Sequence, residues 1–147
     1  MREILFRGQT RRKGEKVRMD GSPVESNWVY GGVLCGSGDH SIIYQTEPDI
    51  EKKVVYTDTL GQFTGLTDKN GVKIFEGDIV RNIKSGMKAL VQFFPEHGAF
   101  MAWIRNESFS INQVEYLGEI EMPEIEVIGN IYDNPELIRE DGERNDT

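Results

Sequence analysis

The sequence predicts a mainly β chain, a small barrel or stacked strand layers, and three observations carry that expectation. Short apolar runs alternate with glycine-, asparagine- and aspartate-bearing turn signals along most of the chain, the pattern of strands joined by tight reversals. Sixteen glycines and 10% aromatics accompany a hydrophobic content of only 37%, a turn-rich soluble composition. The stretch from Ala99 to Arg105 is apolar on both faces, with Ala99, Met101 and Trp103 on one and Phe100, Ala102 and Ile104 on the other. A strand covered on two sides belongs at the middle of a barrel or against another layer. A length of 147 residues suffices for one domain with a real core and is short for two independent ones.

Taken in order, Glu3 to Arg7 alternates as an opening strand, and the polar, basic segment Gly8 to Asp20 reads as a hairpin or loop around Lys16 to Met19. Asn27 to Cys35 reads as a strand carrying a bulge or close approach at Gly31 and Gly32, followed by the turn Gly36 to Asp39 and a strand over Ser41 to Thr46. Glu51 to Tyr56 is a further strand, and Thr59 suits the cap of a single helical turn in the link to Leu66.

The centre of the chain is Phe63 to Arg81. Asp68, Asn70 and Gly71 form its first turn, since asparagine tolerates the left-handed conformation, glycine adopts it freely and aspartate accepts from its own backbone. Gly77 and Asp78 form a second turn that launches the run Ile79, Val80 and Ile83. Asp78 to Lys84 and Met87 to Phe94 flank Ser85-Gly86 as a hairpin, and Pro95 to Gly98 reverses into Ala99 to Arg105, which completes a three-stranded antiparallel meander. Gln113 to Ile120 and Glu126 to Tyr132 are later strands. Asn134, Pro135 and Glu136 then supply a cap, a first helical position and a favourable dipole charge for a short C-terminal helix. The charged residues 141–147 read as a flexible acidic tail.

Charge is segregated. Residues 1–18 hold Arg2, Arg7, Arg11, Arg12, Lys13, Lys16 and Arg18 against Glu3 and Glu15, a balance of +5, so the remainder carries −13 of the total −8. Such an acidic body repels phosphate backbones, and the basic end is the candidate interaction surface: Arg2, Arg7, Arg11, Arg12, Lys13 and Arg18. Attraction between opposite ends of neighbouring copies favours a homo-oligomer, while two solvated surfaces is the plainer reading of the same pattern.

The residues offer little for catalysis. One cysteine, Cys35, with His40 and His97 gives no spaced metal-ligand set, and no cofactor is expected. Asp39-His40-Ser41 has the residue types of a hydrolytic triad, but adjacent positions do not converge as a triad must. Glycines 31, 32, 36 and 38 lack the Gly-Lys-Ser/Thr of a phosphate loop. Asp68 and Asp78 are assigned to turns in preference to acid–base work. Phe93, Phe94, Phe100 and Trp103 are assigned to core packing, with base stacking as the alternative. No apolar run approaches a membrane span, and the opening residues lack a signal peptide's apolar region, so the cytoplasm is the expected compartment.

The central stretch, Glu126 to Leu137 with its Gly129-Asn130 and Asn134-Pro135, and the opening Arg2 to Arg7 together resemble the YopX family of phage and prophage proteins. The resemblance implies a mainly β protein containing an SH3-like small barrel. Joined to the reading of the residues, this gives one domain over residues 1–140, with the barrel core at 63–137, additional N-terminal strands and loops at 1–62 and a short C-terminal helix. The resemblance carries no catalytic residues. The expected function is that of a non-enzymatic phage or prophage accessory protein in the bacterial host, a β module that self-associates or binds a phage or host protein. The alternative is a nucleic-acid-binding factor using the basic N-terminal segment.

Overall fold

The structure, a computed structural model, describes residues 3–15, 27–46, 48–106, 111–116 and 122–138. The hairpin expected around Lys16 to Met19, residues Arg2 and Arg18, and the tail 141–147 lie outside the described residues. Two compact units are present, residues 1–65 and 66–147.

The first unit is an antiparallel sheet of β1 (Phe6–Arg11), β2 (Asn27–Ser37), β3 (His40–Gln45), β4 (Glu51–Tyr56) and β5 (Gly61–Thr67), in the order β4-β3-β2-β1-β5. Val29, Ile43 and Val55 are buried together with Leu60 against them. Gly8 makes this packing possible: a Cβ there would lie 2.8 Å from the Val55 Cγ2. The opening strand starts later than its alternation suggests and runs on into the polar segment expected to form a loop. Pairing with β2 draws it there, and Gln9, which is fully buried, gives its backbone N–H to the Thr59 Oγ1 at 2.9 Å. The β2 irregularity falls between Val33 and Cys35, while Gly31 provides the close approach, its would-be Cβ being 2.1 Å from the Tyr44 carbonyl oxygen.

The helical turn expected after Thr59 lies before it. Thr57–Thr59 forms one 3₁₀ turn, and the Thr59 hydroxyl donates to the Tyr56 carbonyl at 2.7 Å; the following Gly-Gln-Phe is strand β5. A threonine reaching back to close a turn and forward to an adjacent strand has both its hydrogen-bonding roles filled, which is why it tolerates complete burial.

In the second unit, the end of β5 pairs with β6 (Lys73–Phe75) around the Asp68 turn. β7 (Asp78–Asn82), β8 (Lys88–Phe94), β9 (Ala99–Asn106), β10 (Ile111–Tyr116) and β11 (Ile125–Asn130) then form an antiparallel sheet ordered β10-β9-β8-β7-β11. The expected meander is its centre, with Val80 opposite Ala89 and Val91 opposite Ala102. Ile74, Val80, Ala89, Val91, Ala102 and Ile125 make the buried core. The β7–β8 reversal is held by Asn82, whose Oδ1 accepts from the N–H groups of Lys84 and Ser85 at 2.9 and 3.0 Å.

Both sheets are open ladders among the described residues, and no strand pairing closes the second between β10 and β11. In place of an α-helix after Asn134, Pro135–Ile138 forms a four-residue 3₁₀ turn, with the Leu137 N–H donating to the Asn134 carbonyl three residues back. No helix among the described residues is long and apolar enough to cross a membrane.

Candidate functional site

The second unit carries a cleft of about 510 Å³ whose shape depends on the turn residues singled out in the sequence. Gly77 holds a positive φ of 94°, a conformation in which a Cβ is strained, and no side chain stands above its backbone. The ring of Tyr132 uses that space: a Cβ on Gly77 would come within 2.9 Å of the Tyr132 Cε2. The Gly77 peptide is fixed on both sides, donating to the Val91 carbonyl at 2.8 Å and accepting from the Ile131 N–H at 2.9 Å. Asp78 anchors the same turn by accepting the Phe75 N–H on its buried carboxylate at 2.7 Å.

Tyr132 is aimed by a second set of turn residues. Asn130 accepts the Tyr132 and Asp133 N–H groups on its Oδ1 at 3.0 and 2.9 Å, and Asn134 accepts the Asn130 N–H at 3.2 Å. Gly129 leaves room for this, since a Cβ there would sit 2.6 Å from the Asn134 Oδ1. Thus Gly77 lines one wall of the cleft beside Tyr132, and Asp78, Gly129 and Asn134 act behind it through the two turns, while Pro135 opens the 3₁₀ turn that follows. Asp68, Asn70 and Gly71 form a separate lock. The Asp68 Oδ1 accepts from Asn70 and Val72 at 2.8 and 2.9 Å, and its Oδ2 accepts from Val127 at 2.9 Å. Burial works to raise the pKa of this carboxylate, but the N–H donors of Val127, Val72 and Asn70, with help from Lys69, prevail and lower it.

The opposite wall comes from the end of β8 and the turn after it: Leu90, Phe93, Phe94, Pro95 and Glu96, with Glu76 beside Gly77. Phe93 stands 42% exposed, edge-on to Phe100 at 5.3 Å, so it is a surface ring and not the core residue the sequence suggested. Aromatic and proline surfaces and two carboxylate side chains thus border the same cleft. Sequence reasoning missed this cleft because Phe94-Pro95-Glu96 and Tyr132 are some forty residues apart and each reads locally as turn punctuation.

The basic end is less available than its composition implies. Arg7 is buried, with its guanidinium 4.4 Å from the centre of the Trp28 ring, so it contributes to packing within the unit and offers little charge at the surface. Arg12 is engaged by both Asp58 carboxylate oxygens at 2.9 Å and lies over the Tyr56 ring at 4.2 Å. The Tyr56 hydroxyl donates to Glu15, whose other oxygen accepts the Arg12 N–H; these two bonds lower the Glu15 pKa, the backbone one foremost. Arg11 and Lys13 are exposed. Arg12, Tyr56 and Asp58 border a second cleft, of about 480 Å³, together with Asp39 and His40. Asp39, His40 and Ser41 do not assemble there as a triad: Ser41 is buried against Thr57, Oγ to Oγ1 2.8 Å, while His40 is exposed beside Tyr56. Among the described residues no three His, Cys, Asp or Glu side chains are grouped to hold a metal ion.

Comparison with solved structures finds the crystal structure of protein EF1440 from Enterococcus faecalis, at 21% identity and a TM-score of 0.40, covering 95% of this chain and all of that one. No curated protein matches the chain. The family model described as YopX protein matches residues 7–139, nearly the full length over which both sheets are built. This chain is therefore a member of the YopX protein family.

Proposed function

We propose that this chain is a phage or prophage accessory protein that works without catalysis, as a β module that binds protein, its own copies included. The cleft between Phe94 and Tyr132 is the observation that carries this reading. Its apolar walls suit side chains of another polypeptide, and its carboxylates, Glu76 and Glu96, oppose the phosphates of a nucleic acid. The burial of Arg7 and the internal pairing of Arg12 further reduce the positive surface on which nucleic-acid binding would depend.

On this reading the second sheet is an opened SH3-like barrel, an assignment supported by its antiparallel meander and by β11 lying beside β7. Its single cysteine suits the reducing cytoplasm of a bacterial host. The test is sedimentation of the full chain over a range of concentration and salt. A mass above 16.8 kDa that falls on dilution is expected. A monomer under every condition would remove self-association. Steeply salt-dependent binding of single-stranded or duplex oligonucleotides would instead favour the nucleic-acid factor.

A further inference from the structure

Asn70-Gly71 is the one asparagine–glycine pair in the sequence, and the turn that carries it is held by Asp68. We infer that Asn70 is a site of spontaneous deamidation, a modification in which the Gly71 nitrogen closes on the Asn70 side-chain carbonyl carbon, and that the Asp68 lock sets its rate. The reaction needs water and no other partner. The Gly71 nitrogen gives up its proton and bonds to the Asn70 Cγ, closing a cyclic imide, while the side-chain nitrogen takes up a proton and leaves as ammonia. Water then opens the ring at either carbonyl, giving aspartate or, with the main chain rerouted through the side chain, isoaspartate. Nothing is oxidised or reduced, and the net exchange of ammonia for water adds about one mass unit.

Access favours this attack and hydrogen bonding restrains it. Asn70 and Gly71 are both exposed, so water reaches the pair and ammonia escapes. A side chain on the following residue would crowd the attacking nitrogen; Gly71 has none, and nothing lies within 4 Å of where a Cβ would stand. Against this, every N–H from Asp68 to Val72 is engaged. Asp68 donates to the Val72 carbonyl at 2.9 Å, Lys69 to the Ile125 carbonyl at 2.9 Å and Gly71 to the Asp68 carbonyl at 3.0 Å. Asn70 and Val72 both donate to the Asp68 Oδ1, at 2.8 and 2.9 Å. The attacking nitrogen therefore has its proton occupied, and the rotation about Asn70 that ring closure requires is pinned on both sides. Reaction waits for the turn to open locally.

The product undoes the restraint that slowed it. Isoaspartate inserts a methylene into the main chain between the Asn70 and Val72 N–H groups, so the two no longer fit one carboxylate oxygen as they do now. Either product also places a second carboxylate in the turn, where it repels the first. The Asp68 Oδ2 accepts the Val127 N–H, so a weakened turn loosens its tie to β11 as well. Modification at one exposed residue thereby reaches a strand that pairs with β7 in the second sheet.

The test is peptide mapping by mass spectrometry of the full chain during incubation at mildly alkaline pH, with the urea-unfolded chain as the unrestrained reference. The folded parent is expected to convert at Asn70 more slowly than that reference, to a mixture of aspartate and isoaspartate separable by chromatography. Asp68→Ala is expected to raise the folded rate roughly tenfold or more, since the carboxylate's hydrogen bonds no longer oppose opening. Asp68→Asn, which keeps an oxygen for the donors and loses the charge, should fall between the two. Thr59→Val weakens the first unit without touching this turn and should react at the parent's rate. If Asp68→Ala fails to fold, the comparison of Asp68→Asn with Thr59→Val decides. Equal rates in the parent and Asp68→Asn overturn the inference, and so does equal acceleration by Thr59→Val. A parent that reacts as fast as the unfolded chain overturns it too, as does an Asn70 that stays intact in both Asp68 variants while the unfolded chain converts.

Discussion

The carboxylate of Asp68 and the backbone N–H of Val127, 59 residues apart in sequence, are joined by a hydrogen bond of 2.9 Å. With the bonds from Asn70 and Val72, this makes one buried side chain the acceptor for three main-chain donors, two from its own turn and one from β11. Asp68→Ala leaves all three without that acceptor and is expected to cost about 2–3 kcal/mol, read as a lower denaturant midpoint at unchanged slope.

The same carboxylate sets a pH dependence. Its pKa in the folded chain lies below the ordinary aspartate value of about 3.9, so its contribution is complete above that value and is lost as pH falls through the lower folded one. Asp68→Asn should remove this component. Acid titrations of the two proteins are expected to differ most above pH ~4 and to converge below it.

Gly77→Ala combines two penalties, a strained positive φ and collision with the Tyr132 ring, for an expected loss of about 1–3 kcal/mol. The collision vanishes when Tyr132 is itself alanine, whereas the φ strain remains. A double-mutant cycle should therefore show a smaller cost of Gly77→Ala in the Tyr132→Ala background. Equal costs in both backgrounds would show that the ring yields freely.

Thr59 and Asp58 are chain neighbours with opposite expected sensitivities. Thr59 is fully buried, accepts the Gln9 N–H and donates to the Tyr56 carbonyl, so the near-isosteric Thr59→Val should cost about 1–3 kcal/mol in chemical denaturation. The Arg12–Asp58 pair is about half exposed on both sides, and Asp58→Ala should cost at most about 1 kcal/mol, diminishing with added salt.

What was legible in the sequence was local. Asp68 to Gly71 and Gly77-Asp78 could be read as turns because aspartate, asparagine and glycine impose their backbone preferences within four residues. The meander could be read because its apolar runs are separated by such signals. Strand β5 could not, since Gly61-Gln-Phe-Thr-Gly has no clear alternation and takes its conformation from pairing with β1. The burial of Arg7 was likewise invisible, being fixed by Trp28 on the neighbouring strand. The cleft needed the same kind of information: Tyr132 gains its position from Gly77, and only the register of β11 on β7 brings those residues together.

The chain's two tryptophans, Trp28 and Trp103, fall one in each compact unit. Replacing either with phenylalanine leaves a single tryptophan, which excitation to the red of the tyrosine band reads out for one unit alone. Whether the two melt in concert or in sequence thereby becomes a matter of comparing two emission curves, with no extrinsic label attached.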